Sequence, residues 1–242
     1  MSRSLIPYVI LLLIVPLYYA STENSLSNSK HSCDNIWKVS FDSKELTAWS
    51  YVLHPQGVNV LPTPNEQGNT SAYIEIRGDS DYLWRGNKKL NRVELQHKPN
   101  STKTGDTTIV RWRFMLPELF SDDVHQIAYW ESEQSYQQSF RLQLTGQRLS
   151  LISSPNNQEM WHMSGINTKH WYSIALQVIW STTKGHVRLS IDNQSPVDLI
   201  MPTLVAENEN MFFQLGILRP QMEKIEAIWL DDVIVHNIVS DH

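Results

Sequence analysis

The sequence predicts an all-β sandwich built from two antiparallel sheets. Apolar residues recur with a period of two along most of the chain, and Gly, Pro, Asn and Asp residues separate these runs. No long amphipathic helical pattern interrupts them. With 242 residues, 41% of them hydrophobic, the chain has enough apolar material for one sizeable core. We therefore expect a single folded domain.

The first twenty residues predict an export segment. A short polar start precedes an apolar run from Leu5 to Ala20. This run is shorter than the roughly 20 residues that cross a bilayer comfortably, which favours a signal peptide. Tyr18 occupies a position where a cleavage site usually has a small residue, so an uncleaved anchor formed by residues 5–20 stays open. Either alternative predicts a secreted or periplasmic protein.

Residues 21–35 are rich in Ser and Asn, which predicts a polar linker before a domain at 36–242. Cys33 is the only cysteine, so an intrachain disulfide is excluded and the stability must come from the core.

Beyond the linker, about ten to thirteen strands are expected. The segments concerned are IWKVSF, AYIEIRG, RVELQHK, TTIVRWRFML, HQIAYWE, SFRLQLTGQRLSLIS, WYSIALQVIW, GHVRLSID, MFFQLGILRP and IEAIWLDDVIV. Gly146 and the DNQS segment after Ile191 are typical of hairpin turns. PELFSDD is the only segment in which we expect a short helix.

Composition excludes several function classes. The net charge of −5 and the lack of a Lys/Arg-rich run argue against a nucleic-acid partner. The nine histidines form neither HExxH nor His-x-His, so no catalytic zinc and no cofactor are expected, while calcium held by oxygen ligands stays open. Nine Trp and nine Tyr suit strands, and some of them suit stacking on sugar rings. We expect a monomer.

An ordered polar row stands in NRVELQHKP. Arg92, Glu94 and Gln96 alternate with Val93 and Leu95, so a strand here would bury the two apolar residues and present the polar ones on its other face. Such a row is typical of a groove that holds a charged ligand. The alternative is a buried Arg–Glu pair that ties neighbouring strands.

Six segments share an order and spacing with a known family. They are NRVELQ, TTIVRWRFMLPELF, HQIAYWE, KHWYSIALQVIWSTTKGHVRLSIDNQ, MFFQLGILRP and IWLDDVIV. Together they resemble the heparin-lyase-I-like polysaccharide lyases, which are related to glucuronan and alginate lyases. The resemblance covers roughly residues 36–238 and implies a concanavalin-like β-jelly roll.

The resemblance also implies a reaction, the metal-independent β-elimination of an anionic, uronate-containing polysaccharide. A base removes the proton next to the uronate carboxylate, and an acid protonates the departing sugar oxygen. The row matches the family's Arg-x-Glu-Leu strand. Arg92 would bind the carboxylate, Glu94 would orient Arg92, and Gln96 would hydrogen-bond the substrate.

The sequence departs from the family at two strands. Where alginate lyases have Gln-Ile-His, Gln126 is kept but Ala128 stands at the His position. In the alternative Gln-Trp-His register, Tyr129 replaces Gln and Glu131 replaces His. Both registers lose the family histidine.

The second departure lies in FFQLGIL, where the family reads Tyr-Phe-Lys-x-Gly-x-Tyr. Gln214 stands at the Lys, as a candidate to bind substrate, and Leu218 stands at the second Tyr, the usual proton-transfer residue. Leu cannot transfer a proton.

His125, Tyr129 and Glu131 are the candidate replacements, and they share one face if their strand is regular from 125 to 131. His97 is a further candidate. His125 has a plainer alternative as an ordinary strand-edge residue, and Glu131 has one as a solvated rim carboxylate.

Arg219, after the GIL segment, is expected to bind a substrate carboxylate or to cap a strand end. Trp84, with Arg85, Lys88 and Lys89, is expected to form a groove wall or a solvated charge run.

The sequence thus predicts a polysaccharide lyase, with a catalytically degenerate carbohydrate-binding protein on the same scaffold as the alternative. Glycoside hydrolysis is disfavoured because the E-x-D-x-x-E pattern of jelly-roll hydrolases is missing.

Overall fold

Two eight-stranded antiparallel sheets form the fold, which confirms the predicted all-β sandwich. The computed structural model describes residues 35–43, 46–84, 88–98, 102–192 and 194–240. The predicted export segment, most of the linker and Cys33 lie outside the described residues. No helix in the described part of the chain is long and apolar enough to cross a membrane.

Sixteen strands lie within the described ranges, more than the sequence pattern predicts. They are β1 (Asn35–Val39), β2 (Tyr51–Leu53), β3 (Val58–Pro62), β4 (Thr70–Ile76), β5 (Asp81–Trp84), β6 (Lys88–His97), β7 (Thr107–Met115), β8 (His125–Ser132), β9 (Gln138–Thr145), β10 (Arg148–Ser153), β11 (Gln158–Ser164), β12 (Trp171–Ile179), β13 (Gly185–Ile191), β14 (Val197–Met201), β15 (Met211–Pro220) and β16 (Glu226–Ile238). Two single 3-10 turns, Phe41–Ser43 and Pro55–Gly57, accompany them.

One sheet, here called the groove sheet, has the strand order β11-β10-β9-β8-β15-β6-β2, with β5 also pairing β6. The other, the outer sheet, has the order β14-β13-β12-β7-β16-β4-β3, with β1 also pairing β16. Strand β16 is long enough to pair with β4 through its first half and with β1 through its second. The first and last strands of the domain therefore meet in the outer sheet.

The core fills the space between the sheets. Alternate residues of each strand point into it, such as Val93 and Leu95 in the groove sheet and Trp112 and Phe114 in the outer sheet. Burying one such side chain stabilises the fold by about 1.5–3 kcal/mol. Tight packing of these layers fixes which face of each groove-sheet strand is left for a ligand.

Two local predictions have different outcomes. The Gly146 hairpin is confirmed, because β9 and β10 pair across a two-residue turn in which Gly146 has φ +56°. The predicted helix in PELFSDD is wrong: residues 117–123 form an irregular loop. In that loop Phe120 is buried and the backbone N–H of Ser121 donates to Glu226 (2.7 Å). Tertiary contacts thus use a backbone group that a helix would need.

Candidate functional site

The polar row of β6 lies on the face of the groove sheet that points away from the core. Arg92, Glu94 and Gln96 are all more than 90% buried, while Val93 and Leu95 are fully buried in the core behind them. The alternation is therefore as predicted. These polar side chains are buried by neighbouring residues of the groove and not by the interior of the sandwich.

Strand β15 lies beside this row in register. Leu218 is opposite Arg92, Gly216 opposite Glu94, and Gln214 opposite Gln96. Gly216 has φ +152°, and a Cβ there would clash with the Val93 carbonyl and lie 2.7 Å from Glu94 Cα. Only glycine allows the two strands to approach this closely at the groove floor.

Four side chains form the groove centre: Arg92, Glu94, Tyr129 and Glu131. Arg92 Nε donates to Glu94, and its Nη2 donates to Tyr129 Oη at 2.8 Å. The Tyr129 hydroxyl donates to Glu94 Oε2 at 3.0 Å, and Glu131 Oε2 lies 3.7 Å from Arg92 Nη2. One guanidinium thus positions two carboxylates and a phenol at one point.

Burial and neighbouring charges shift the pKa values of Arg92 and Tyr129. Burial disfavours the charged form of Arg92, but the carboxylates of Glu94 and Glu131 outweigh it and raise the Arg92 pKa above its ordinary value. Burial, with the nearby Glu94 charge, also raises the pKa of Tyr129 well above its ordinary value, despite the opposing effect of Arg92. The phenol therefore stays protonated at neutral pH.

Strand β8 contains a bulge that overturns the predicted shared face of His125, Tyr129 and Glu131. Against β9, Gln126 and Ala128 are opposite consecutive residues, so Ile127 is the extra residue and the side-chain alternation shifts by one. The groove-facing residues of β8 are Gln126, Tyr129 and Glu131. Tyr129 thereby becomes the next groove residue of β8 after Gln126.

His125 lies on the interior side, fully buried. Its Nδ1 lies 2.8 Å from the Asp123 carbonyl oxygen, and its Nε2 hydrogen-bonds Glu226 at the start of β16. Both ring nitrogens are therefore engaged away from the groove. The bulge is the physical reason that the predicted geometry fails.

Arg219 joins the same interior cluster. Its Nη1 pairs with Glu226, and its Nη2 donates to the Lys224 carbonyl at 2.5 Å, with no side-chain exposure. Burial raises the pKa of Glu226, but hydrogen bonds from His125 and the Ser121 N–H outweigh this effect. They hold the pKa of Glu226 well below its ordinary value. The Arg219 side chain thus forms a polar tie between the two sheets, while the residue also borders the larger groove cavity.

One further candidate, His97, does not border the groove centre. His97 stacks on Trp37 with ring centroids 4.1 Å apart, and burial lowers its pKa to about 4, so it is neutral at physiological pH. Trp84 is described only as the last backbone position of β5, and its side chain and Arg85 lie outside the described residues. Lys89 is exposed on β6.

Two adjoining cavities cross the groove sheet. The larger, of about 640 Å³, is bordered by Gln126, Tyr129 and Arg141, and the smaller, of about 290 Å³, by Gln96 and Gln214. Arg92, Glu131 and Tyr136 border both. The groove centre therefore sits where the two cavities meet, over strands β9, β8, β15 and β6.

The amide side chains add hydrogen-bonding groups along this groove. Gln126 accepts from Gln138 Nε2 at 2.8 Å, and Gln214 donates to Gln96 at 3.5 Å. Within the described structure the buried Oε1 of Gln214 accepts no hydrogen bond. These amides suit recognition of sugar hydroxyls.

Arg141 and Tyr136 are among the lining residues that the sequence reasoning did not name. The signal for Arg141 was present in SFRLQL, because Phe140, Leu142 and Leu144 enter the core and leave Arg141 on the groove face. Tyr136 lies in a turn at φ +56° and is 50% exposed, and no periodic pattern marks it.

The described ranges contain no group of three or more His, Cys, Asp or Glu side chains that could hold a metal ion. What the groove does contain is a protonated phenol, a carboxylate and a guanidinium within one cluster. These groups can donate a proton, accept one, and stabilise a negative charge.

Solved structures with a similar fold include both lyases and hydrolases. A β-glucanase catalytic domain of glycoside hydrolase family 131 from Podospora anserina has a TM-score of 0.58 at 16% identity, covering 80% of this chain and 85% of its own. An alginate lyase of polysaccharide lyase family 7 has a TM-score of 0.57 at 10% identity, covering 78% and 86%. Alginate lyase A1-II′, also of family 7, has a TM-score of 0.56 at 10% identity, covering 76% and 85%. These similarities show the jelly-roll fold, which does not by itself select a chemistry.

A sequence comparison with family models is more specific. The model described as Polysaccharide lyase matches residues 37–234, which is most of the chain and includes every groove residue named above. No curated protein is similar enough in sequence to be matched as a relative.

Proposed function

The chain belongs to the polysaccharide lyase family, and on that premise we propose that it cleaves a uronate-containing polysaccharide by metal-independent β-elimination. The observation that supports this most is the meeting of Tyr129, Glu131 and Arg92 at the midpoint of the groove. The three side chains supply the acid, the base and the positive charge that the reaction needs.

Glu131 is the proposed base. It takes the proton from C5 of the uronate, the electron pair forms the C4–C5 double bond, and the C4–O bond breaks. Because Tyr129 stays protonated, we assign it as the acid that gives its proton to the departing oxygen. After the product leaves, protonated Glu131 releases its proton to water and the Tyr129 phenolate takes one up from water, so that both groups return to their starting forms.

Arg92 is proposed to stabilise the negative charge that develops on the substrate carboxylate, and Glu94 holds Arg92 in place. Gln126, Gln96 and Gln214 are proposed to bind sugar hydroxyls along the groove. This charge stabilisation comes from side chains, which supports a reaction that needs no metal ion.

The test uses the ultraviolet absorbance of the unsaturated product. The purified protein is incubated with alginate, glucuronan, heparan sulfate and hyaluronan, with and without a chelator. We expect absorbance to rise on at least one polymer at a rate that the chelator does not change. A rate abolished by the chelator and restored by a divalent cation would contradict metal independence.

A non-catalytic carbohydrate-binding protein is the second candidate. Leu218 occupies the groove opposite Arg92, at the position where the resemblance calls for a tyrosine. This observation favours a groove that binds without cleaving. Measurable binding of a polymer from the panel, together with flat absorbance on all of them, would select this candidate over the lyase.

We propose membership of the heparin-lyase-I-like group, export through residues 1–20, and a monomeric mature protein. N-terminal sequencing of the exported protein distinguishes cleavage after the apolar run from retention as an anchor. Light scattering of the mature protein tests its mass against that of a monomer.

A further inference from the structure

Arg141 differs in its partners from three other arginines that are wholly or partly buried in the described structure. Arg92 pairs with Glu94, Arg113 with Glu66 and Asp231, and Arg219 with Glu226. Arg141 donates instead to neutral groups only, namely Gln143 Oε1 at 3.0 Å, Ser154 Oγ at 3.3 Å and the Asn157 amide oxygen. No carboxylate among the described residues forms an ion pair with it.

Burying the charged Arg141 guanidinium without a paired carboxylate costs free energy. Arg141 is partly buried, and burial lowers its pKa from the ordinary value, so its charge has lost solvation that no protein carboxylate replaces. The three neutral acceptors orient the guanidinium without neutralising it. A guanidinium that is fixed, partly dehydrated and without a counter-charge is suited to an anionic ligand.

Arg141 lies next to the groove centre. Arg141 lies on β9 directly opposite Tyr129 of β8, and both border the larger cavity. Adjacent strands are about 4.8 Å apart, so Arg141 lies one strand beyond Tyr129, on the side opposite Arg92. Glu131 is the only carboxylate among the described residues that border that cavity.

We infer that Arg141 forms a second carboxylate-binding subsite, which takes the carboxylate of a uronate next to the one that is cleaved. The inference rests on the proposed function, because it assumes that a uronate polymer runs along this groove. A polymer crossing from β6 towards β9 passes Arg92 first and Arg141 after the groove centre. The geometry of an arginine fork matches a carboxylate in two hydrogen bonds.

The Arg141 subsite also predicts which polymers bind more tightly. The Arg92 charge is already shared by Glu94 and Glu131, whereas the Arg141 charge is available to a ligand. A polymer with carboxylates on neighbouring sugars can pair one carboxylate with Arg92 and another with Arg141. A polymer with a neutral sugar beside each uronate leaves Arg141 uncompensated and binds less tightly.

The test is a binding measurement with hexasaccharides of glucuronan and of alginate, each compared with its carboxyl-reduced form. All proteins carry Tyr129→Phe so that turnover does not consume the ligand. We expect Arg141→Gln to weaken binding of the carboxylated ligands about tenfold or more, and of the reduced ligands by less than about twofold. Arg141→Lys, which keeps the charge, is expected to retain most of the affinity.

Arg111→Gln is the matched control, because Arg111 is an exposed arginine on the far face of the outer sheet. It removes the same charge and should leave affinity unchanged. Equal losses of affinity for the carboxylated and the reduced ligands would overturn the inference, as would no loss for either. A Tyr129→Phe parent protein that does not prefer the carboxylated ligand would overturn it too. An absorbance panel without product, combined with the predicted pattern of binding, would overturn the lyase proposal and keep the subsite.

Discussion

Tyr129 combines a protonated hydroxyl with a central place in the groove. Its hydroxyl donates to Glu94 and accepts from Arg92, and its pKa is raised well above the ordinary value of 10.0. We predict that Tyr129→Phe lowers kcat on the cleaved polymer by about 10²–10⁴-fold, because the departing oxygen then lacks its acid. The absorbance assay measures kcat.

The same assignment predicts a pH dependence. An acid must be protonated to act, so activity that depends on Tyr129 declines only as pH rises through its raised pKa, above 10. A decline below pH 9 that disappears in Tyr129→Phe would contradict the assignment. So would a Phe variant that retains full kcat.

Glu131 is assigned as the base, and its neighbour offers a control. We predict that Glu131→Gln reduces kcat by about 10²-fold or more, because an amide cannot accept the C5 proton. Glu133 lies two residues further along, is 43% exposed and pairs with Lys98 at 2.7 Å. Glu133→Gln should therefore retain nearly full activity. Equal kcat values for the two variants would remove Glu131 from the mechanism.

His97 predicts a dependence of stability on pH. Its folded pKa of about 4 lies below the ordinary value of 6.5, so the unfolded chain binds the extra proton between these values. The His97 contribution is therefore complete above pH 6.5 and is lost as pH falls towards 4. It amounts to about 2–3 kcal/mol.

His97→Phe keeps an aromatic ring against Trp37 and removes the titration. We expect the free energy of unfolding in urea to fall less between pH 7 and pH 4.5 in this variant than in the wild type. Parallel pH profiles for the two proteins would show that His97 does not titrate as its burial requires.

At the scale of single strands, Gly216 sets the distance between β15 and β6. We predict that Gly216→Ala destabilises the protein by about 1–3 kcal/mol and lowers activity, because the added Cβ meets the backbone of Val93 and Glu94. Gly68→Ala is the control, since Gly68 has φ +82° but nothing within 4 Å of an added Cβ. Thermal unfolding of both variants separates the clash from the cost of a positive φ.

The bulge in β8 shows the limit of strand patterns. Alternation along HQIAYWES predicts that residues of one parity share a face, and the strand itself is found where expected. One extra residue at Ile127 then moves His125 to the interior and Gln126 to the groove. A bulge depends on how β9 and β15 pair with β8, so the β8 sequence alone does not reveal it.

At the scale of the whole molecule, Glu226 ties the two sheets together. We predict that Glu226→Gln destabilises the fold by about 3–5 kcal/mol, because it leaves Arg219 charged and buried without a counter-charge. Glu223→Gln, an exposed carboxylate in the preceding turn, should cost less than about 0.5 kcal/mol. Urea unfolding at neutral pH measures both.

The Glu226 tie also depends on pH. The folded pKa lies below the ordinary value of 4.5, so its stabilisation is present above that value and is lost as pH falls below it. Wild type and Glu226→Gln should therefore converge in stability at acid pH. A constant difference between them down to pH 3 would show that the carboxylate charge is not what holds the sheets.

The sequence by itself determined the two-sheet fold and the polar face of β6, because period-two alternation and burial are local properties that the pattern records directly. Only the tertiary structure decided that Arg92 meets Tyr129 and Glu131, and that the His125 and Arg219 side chains pair with Glu226. It also decided that the partners of Arg141 among the described residues are neutral. These contacts join residues far apart in the chain. They depend on strand register and on the bulge in β8. The packing of neighbouring strands sets both.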